Sequence, residues 1–361
     1  MPIKFRKALI ADERYESAAA FDVNNDGILD IVSGAYWYEG PDFKKFHKIG
    51  DIAAYGDYFD DFSTIPMDIN GDGYLDFVTG GWWGGTLRWR ENPGEAGGEW
   101  KEHIIGETGC IETTRAWDID GDCMVEIVPN TPGGPLAAFK LIVDSNGKGT
   151  GQFERHLISS VPQGHGLGFG DINGDGRGEF IMTNGWLESP ADPYSGEWIL
   201  HEEFDLGSAS VPILVADVNG DGINDLIVGQ AHGYGLDWYE QKIDAAGKRT
   251  WIKHPIDPFN AQYHDMMWLD IDNDGQPELV TGKRFRAHPH MDEGDEDDIG
   301  SYYFKWNGEH LCKQVIDYGS QREGKGLGIF FDVADLHGTG RLDIIAPGKD
   351  GLYVFYNEGS E

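Results

Sequence analysis

The sequence predicts an all-β fold, a seven-bladed β-propeller with four strands in each blade. The first observation is an acidic loop that occurs seven times, with successive first aspartates 46, 50, 53, 46, 53 and 65 residues apart. The second is that strand-like runs flank every loop, and a repeat of roughly 50 residues has room for four strands. The third is the glycine content, 52 of 361 residues, which is roughly twice ordinary usage and suits many tight turns.

Each repeat divides into four short strands. The first ends at the opening aspartate of the loop, as in SAAAFD, and the second follows the loop, as in LDIVSG. The second strands are nearly continuous apolar runs, which is typical of strands buried on both faces. The third strand carries aromatic residues, as in GLDWYEQ, and the fourth reads FERHLI or WIKHPI. Together the repeats predict a single propeller domain over residues 1–361.

The last repeat lacks a fourth strand, because the chain ends after GLYVFYNEGSE. The N-terminal segment Phe5–Ile10 fits the pattern of the missing strand. We therefore predict that Ile3–Ile10 pairs with the seventh blade and closes the ring. Such closure removes an exposed sheet edge that would otherwise invite aggregation.

The acidic loops predict structural Ca²⁺ sites in six of the seven repeats. Their pattern, D-x-[ND]-x-D-G-x-x-[DE], places oxygen ligands at alternate positions, with a glycine for the sharp turn and a final carboxylate. The alternative is a hairpin stabilised by its own Asx side chains without an ion, and the seventh loop favours it locally, since His337 and Thr339 replace ligands there. We expect these loops on the face opposite the functional pocket. The predicted ligands are Asp22, Asn24, Asp26, Asp30, Asp68, Asn70, Asp72, Asp76, Asp118, Asp120, Asp122, Glu126, Asp171, Asn173, Asp175, Glu179, Asp217, Asn219, Asp221, Asp225, Asp270, Asp272, Asp274 and Glu278.

The loops, together with the [LI]-[DE]-[IFL]-[IV] strands that follow them, resemble FG-GAP/VCBS repeats, the family of the integrin α-subunit propeller. This resemblance covers essentially the whole chain. It is specific for the fold and weak for function, because the family includes adhesion modules and enzymes alike.

The charge of the chain limits its partners and its location. With 28 basic and 63 acidic residues the formal net charge is −35. Such a field repels nucleic acid and anionic membranes, so we exclude both as partners. The chain starts without the apolar stretch of a signal peptide, and no run is long enough to span a membrane. These features predict a cytoplasmic protein; a secreted protein trimmed of its leader would look the same.

Ten of the twelve histidines fall into two groups; the remaining two are His310, near the start of the sixth outer strand, and His337, in the seventh acidic loop. One group recurs at one place in the fourth strand, mostly as [WF]-x-x-H, and a residue repeated in blade after blade is architectural: His47, His103, His156, His201 and His254. The other group does not repeat and lies in connections that we expect to converge on the channel face: His165, His232, His264, His288 and His290. Imidazole is the usual side chain for acid–base catalysis and metal ligation near neutral pH.

Further candidates come from the sixth blade and from aromatic residues near the predicted channel mouth. The insertion 283–300 accounts for the longest repeat spacing and combines basic residues, two histidines and an acidic run, and long propeller loops are commonly functional. The alternative to a functional loop is that the insertion is only a solvated charged flap. Aromatic rings that stack on sugar faces, beside polar groups that bind hydroxyls, predict a carbohydrate ligand. The alternative for Trp82 and Trp83 is that they plug the channel mouth. The predicted substrate-binding residues are Trp82, Trp83, Arg115, Trp186, His232 and Arg322.

Three stretches resemble a narrower group, the propeller domain of aldos-2-ulose dehydratase and related bacterial proteins. They begin QGHGLGFGD, QYHDMMWLD and KGLGIFFDV. The resemblance implies a lyase that eliminates water, or another β-leaving group, from an oxidised sugar with the help of a divalent metal. Proton abstraction next to a carbonyl requires a base, a group that stabilises the enolate, and an acid for the leaving group.

On this hypothesis His165 and His264 ligate a metal or act as base, and His288 or His290 completes the set. Zn²⁺ or Mn²⁺ suits three converging imidazoles; without convergence a metal-free base remains. Lys283 and Arg286 would stabilise the oxyanion, and Tyr263 or Tyr58 would be the acid. Two alternatives stay open: a non-catalytic module that binds glycan or protein, and hydrolysis by paired carboxylates.

Overall fold

The computed structural model describes residues 2–360 and confirms the predicted fold class, an all-β seven-bladed propeller whose blades are four-stranded antiparallel sheets. Met1 and Glu361, the ends of the predicted domain, lie outside the described residues. The chain divides into two compact units: unit 1 comprises 1–116, 125–156 and 327–361, and unit 2 comprises 117–124 and 157–326. That one domain spans the whole chain stays a prediction.

Unit 1 contains the first, second and seventh blades, most of the third blade and a separate two-stranded hairpin. Its strands are β1 (Ile3–Ala11), β2 (Ala18–Phe21), β3 (Asp30–Ser33), β4 (Tyr36–Tyr38), β5 (Phe46–Lys48), β6 (Ala54–Tyr55), β7 (Tyr58–Phe59), β8 (Ile65–Met67), β9 (Asp76–Gly80), β10 (Thr86–Glu91), β11 (Lys101–Glu107), β12 (Thr113–Trp117), β13 (Glu126–Asn130), β14 (Leu136–Val143), β15 (Gly149–Ser159), then β28 (Asp332–Ala334), β29 (Asp343–Ala346) and β30 (Leu352–Ser360).

Unit 2 contains the fourth, fifth and sixth blades. Its strands are β16 (Leu167–Gly170), β17 (Glu179–Met182), β18 (Gly185–Glu188), β19 (Ile199–His201), β20 (Leu214–Ala216), β21 (Asp225–Gly229), β22 (Leu236–Ile243), β23 (Arg249–Pro255), β24 (Tyr263–Leu269), β25 (Glu278–Lys283), β26 (Ile299–Trp306) and β27 (Leu311–Gly319). Within residues 2–360, helical structure amounts to one 3-10 turn, Gly94–Ala96, and no helix there is long and apolar enough to cross a bilayer.

The N-terminal strand completes the seventh blade, as predicted. Strand β1 pairs antiparallel with β30, with Phe5 opposite Asn357 and Leu9 opposite Tyr353. The sheet order is β1-β30-β29-β28, so one blade combines the two ends of the chain. Because β1 covers the outer edge of β30, the backbone groups of that edge are paired.

The second strand of every blade forms the buried centre of its sheet. All residues of β3, β9, β17 and β25 are buried, which agrees with their continuous apolar sequences. Each of these strands begins with the closing acid of an acidic loop, so a carboxylate starts a buried and mainly apolar run.

The repeated histidines have the architectural role that their recurrence predicts. In four blades the histidine ring stacks on a third-strand tryptophan with ring centroids 4.0–4.4 Å apart, and its Nε2 lies 2.6–3.0 Å from a glutamate two residues after that tryptophan. Each set therefore ties the fourth strand to the third. The four sets are Trp37/His47/Glu39, Trp89/His103/Glu91, Trp186/His201/Glu188 and Trp238/His254/Glu240.

Candidate functional site

Three non-repeating histidines of unit 2 converge. The Nε2 atoms of His165 and His232 lie 2.8 Å apart. The ring of His264 is 5.5 Å from that of His165 and 5.7 Å from that of His232, and all three rings are nearly perpendicular to one another. The nitrogen that each ring offers lies within 4.8 Å of the other two. His264 is fully buried, and the other two are partly buried. We call this group the histidine cluster.

The other nitrogen of two of these rings is held by an oxygen. His165 Nδ1 lies 2.8 Å from the carbonyl oxygen of Ala209, and His232 Nδ1 lies 3.0 Å from Asp292 Oδ2. Carbonyl and carboxylate oxygens only accept, so both Nδ1 atoms carry the proton and donate it. The two Nε2 atoms then direct lone pairs at each other across 2.8 Å. This contact is stable only with a cation, a proton or a metal ion, to share.

Short backbone contacts bring these histidines together from distant parts of the chain. His165 precedes β16, His232 follows β21, and His264 lies on β24. Isolated bridges join Ala209 to Gln230 and Tyr234 to Ala261, which ties the connections on either side of His232 to their neighbours. Histidines up to 99 residues apart in the sequence are thereby brought close together.

Gln262 supports the cluster from a strained backbone position. It is fully buried with φ of 61°, a left-handed conformation that is uncommon for residues other than glycine and that concentrates at functional sites. Its backbone N–H donates to Gly233 at 3.0 Å, and its Nε2 donates to Asp292 Oδ2 at 3.3 Å. Gln262 therefore connects the strand that carries His264 to the carboxylate that holds His232.

Asp292, from the sixth-blade insertion, joins the cluster to a fourth histidine. Its Oδ1 lies 3.1 Å from His288 Nδ1, and the His288 ring stacks on His232 with centroids 4.6 Å apart. Burial acts to raise the pKa of Asp292, but its hydrogen bonds and its proximity to His232 and His288 outweigh burial and lower that pKa. One ionised carboxylate thus orients two imidazoles.

Replacing Asp292 by asparagine should weaken metal binding at the cluster by about 10–100-fold, the usual cost of losing an outer-shell partner of a histidine ligand. The carboxylate accepts N–H groups from two rings, whereas the amide accepts at one oxygen and presents donors at its nitrogen. Competitive titration of Zn²⁺ with a chromophoric chelator measures the change. The control is Glu296→Gln, since Glu296 holds the exposed His290 at 2.9 Å. Equal affinities in both variants would contradict the role of Asp292.

Four other residues that were predicted to take part in the chemistry are close to the cluster histidines in sequence, but their side chains make other contacts. The side chain of His290 is 76% exposed and pairs with Glu296. Tyr263 is buried and donates to Asp257 at 2.6 Å, because neighbours on a strand point to opposite faces; burial and Asp257 raise its pKa well above the usual value. Lys283 is buried against the carbonyl oxygens of Gly294 and Asp297. Arg286 is exposed and donates to Gln321.

Lys283 and Arg286 therefore hold the insertion rather than face the histidines. Burial lowers the pKa of Lys283, and nearby aspartates of the insertion oppose that effect. Its ammonium group fixes the loop at two carbonyl oxygens, which positions Asp292 within the same loop.

The predicted substrate-binding residues are dispersed. His232 belongs to the histidine cluster, and Trp186 is 3% exposed in the stack with His201. Arg322 of unit 2 is exposed. The remaining candidates belong to unit 1. Trp83 is exposed, stacks on Tyr55 with centroids 5.0 Å apart and lies 5.1 Å from the Tyr58 ring.

Two further candidates in unit 1 are less exposed to solvent. Trp82 is half-buried. Arg115 is 8% exposed, with its guanidinium 4.8 Å from the centre of the Phe330 ring. An exposed aromatic surface in unit 1 is thus formed by Tyr55 and Trp83, the former on the two-stranded β6–β7 hairpin.

Sequence reasoning missed the parts played by Asp292, Gln262 and Ala209. Asp292 was visible only as one member of an acidic run, although its position four residues after His288 suits a turn contact. Gln262 stands in the motif QYHDMMWLD two residues before His264. The carbonyl of Ala209 leaves no signal in the sequence, because any residue supplies one.

The acidic loops form turns in which side-chain oxygens accept backbone N–H groups. In the first loop Asp22 accepts from Asp26 at 3.1 Å and from Gly27 at 2.8 Å, and the buried Asp30 accepts from Val23 at 2.9 Å. Burial raises the pKa of the closing carboxyl to about 6 in Asp30 and to about 7 in Asp76. These bonds shape the turn in either reading of the loops, and bound Ca²⁺ stays a prediction.

One segment of unit 2 also matches a known family. Residues 217–281, which include the fifth loop, its strands and His264, match the profile of the FG-GAP-like repeat. The chain carries an FG-GAP-like repeat. This repeat is the one whose second-to-third connection holds His232. No curated protein sequence matches the chain.

Several solved structures are similar to this chain over nearly its whole length. A lectin from Agrocybe aegerita that recognises non-reducing terminal N-acetylglucosamine is similar over 100% of this chain and 92% of its own, with 15% identity and a TM-score of 0.53. BBS1N, solved in complex with ARL6DN, is similar over 100% and 98%, with 11% identity and a TM-score of 0.56. The rhamnogalacturonan lyase YesW is similar over 99% and 73%, with 12% identity and a TM-score of 0.49. At such identities the likeness to the lectin and to BBS1N shows the fold alone.

Proposed function

We propose that this protein is a divalent-metal-dependent lyase that eliminates water, or another β-leaving group, from an oxidised sugar, and that His165, His232 and His264 hold the metal ion. The observation that carries the proposal is the 2.8 Å contact between the Nε2 atoms of His165 and His232. Both rings donate from Nδ1 to oxygen, which is the usual outer shell of metal-bound histidine.

The donor set favours a transition metal. Three imidazole nitrogens suit Zn²⁺ better than Ca²⁺ or Mg²⁺, which prefer oxygen ligands. When bound, such an ion supplies a Lewis acid that polarises a carbonyl or carboxylate oxygen. The net charge of −35 disfavours anionic ligands. A neutral keto-sugar is therefore a better substrate than a uronide.

His288 is the base in this proposal. Its ring stacks on His232, its side chain is 46% exposed, and its Nδ1 donates to Asp292, so Nε2 is the nitrogen that accepts a proton. That atom takes the proton from the carbon next to the carbonyl. The C–H electron pair forms the double bond as the β carbon–oxygen bond breaks. The imidazolium then returns the proton to the departing oxygen, which leaves as water.

The experiment is an elimination assay on the purified full chain, with keto-sugars and uronides as substrates and ultraviolet absorbance as the readout. We expect turnover of keto-sugars that disappears after dialysis against a chelator and returns with Zn²⁺ or Mn²⁺ but not with Ca²⁺. Turnover that survives the removal of metal would refute the metal dependence, and the absence of turnover on both substrate classes with zinc bound would refute the lyase.

A second candidate function is a non-catalytic module that binds glycan. It is favoured by the exposed aromatic surface of Tyr55 and Trp83 in unit 1, since aromatic rings stack on sugar faces. The similar lectin recognises terminal N-acetylglucosamine. Calorimetry with oligosaccharides separates the two functions: binding without turnover that is lost in Trp83→Ala and unchanged in His165→Ala supports the binding module.

A further inference from the structure

The seven blades differ at one position that faces the acidic loops. The closing acid of each loop starts the second strand, and the antiparallel register places a third-strand residue beside it. Leu279 is opposite Phe304 and Ile127 is opposite Phe139, which sets Lys305 beside Glu278 and Lys140 beside Glu126. By the same register the first, second, fourth and fifth blades carry a glutamate there: Glu39, Glu91, Glu188 and Glu240.

In the sixth blade the lysine enters the acidic loop. Lys305 Nζ lies 2.6 Å from Asp274 Oδ2 and 3.2 Å from Glu278 Oε1, and it also contacts Asp272. These are three of the four ligands predicted for loop six. Oxygens of Asp270, Asp272 and Glu278 all lie within 4.8 Å of one another, a spacing at which one cation neutralises several carboxylates.

In the third blade the equivalent lysine contacts the equivalent acid. Lys140 Nζ lies 3.2 Å from Glu126 Oε1, and the side chain of Glu126 is fully buried. A buried carboxylate is costly unless a cation or several hydrogen-bond donors accompany it. Lysine thus occurs at this register position in two blades, and in both its Nζ contacts the closing acid of the loop.

In the blades with glutamate at this position, the buried closing acid is stabilised by other contacts. There the third-strand carboxylate is held by the architectural histidine, as Glu39 is by His47 at 3.0 Å. The closing acid Asp30 accepts backbone N–H groups from Val23 and Gly40. A glutamate beside the loop adds negative charge, whereas a lysine removes it.

We infer that Lys305 is a built-in counter-cation that occupies the centre of loop six in place of a metal ion. Loop six therefore does not fit Ca²⁺, although its D-x-D-x-D-G-x-x-E sequence is a complete ligand pattern. Lys140 gives the same neutralisation at the closing acid of the third blade. The inference is independent of the histidine cluster.

The test is Lys305→Met, which keeps the length and apolar stem of the side chain but removes the charge. In chelator we expect the variant to melt several degrees below the wild type, because three carboxylates lose their counter-cation. Added Ca²⁺ should restore most of that deficit, and equilibrium dialysis with radioactive Ca²⁺ should count one more ion per chain than in the wild type. The matched control Lys305→Arg keeps the charge and should gain no ion.

An unchanged melting temperature in chelator, or an unchanged ion count, would overturn the inference. If Lys305→Met does not fold without calcium, the double variant Asp272→Asn/Lys305→Met decides. Removing one carboxylate relieves the uncompensated charge, so the double variant should be more stable in chelator than the single variant. A double variant that is equally unstable would show that the lysine acts through packing and not through charge.

Discussion

A protein that lacks residues 2–10 should melt about 10 °C or more below the full chain, because several strand hydrogen bonds of about 1 kcal/mol each are lost with the packing of β1. Strand β1 spans nine residues and pairs with β30 along most of its length. Its removal exposes the edge of β30, where Leu352, Val354 and Phe355 are fully buried in the intact blade. The exposed edge should also cause aggregation. Differential scanning calorimetry and light scattering measure both effects.

The control for this truncation is Lys4→Ala. Lys4 makes an exposed ion pair with Glu358 at 3.8 Å, and exposed pairs contribute about 0–1 kcal/mol. It should therefore melt close to the wild type. If the truncated chain had the same melting temperature as the control, β1 would not be an integral strand of the seventh blade.

The variant His232→Ala should bind Zn²⁺ with an affinity more than about 100-fold lower than the wild type, since even the loss of an outer-shell partner lowers metal affinity about 10–100-fold. His232 contacts His165, Asp292 and the ring of His288, so its removal takes away one ligand and leaves Asp292 with one imidazole fewer. Elimination activity should fall with the metal content. Zinc analysis after gel filtration, together with the keto-sugar assay, measures the two losses in one preparation.

The matched control is His290→Ala, a histidine of the same insertion whose side chain is 76% exposed. It should retain the metal and the activity of the wild type. Zinc content that is equal in the two variants would remove His232 from the metal site. Loss of activity with zinc retained would leave the metal site intact and argue for a direct role of His232 in the chemistry.

The fold was predictable because its signals are local and repeated. The acidic loops mark every first-to-second strand connection, and the missing fourth strand of the last repeat predicts the pairing of β1 with β30. The architectural histidines were recognisable by recurrence alone. Trp186 could have been recognised in the same way, since it stands opposite His201 in register, as Trp89 stands opposite His103.

The site was less predictable because it depends on the paths of non-repeating connections. His288 and His290 are two residues apart, and only the turn that pairs His288 with Asp292 separates the one that meets His232 from the one that faces solvent. His165 and His264 were expected to meet, whereas His232 was assigned to substrate. Lys305 was overlooked because the loop pattern was read without the strand that faces it.

The central claim is that three imidazoles of unit 2 bind one metal ion, and X-ray absorption at the zinc edge of the zinc-loaded protein tests it most directly. We expect a first shell with three imidazole nitrogens at about 2.0–2.1 Å and the loss of their scattering signature in His232→Ala. A first shell made of oxygen alone, or a spectrum that is identical in His232→Ala, would contradict the claim.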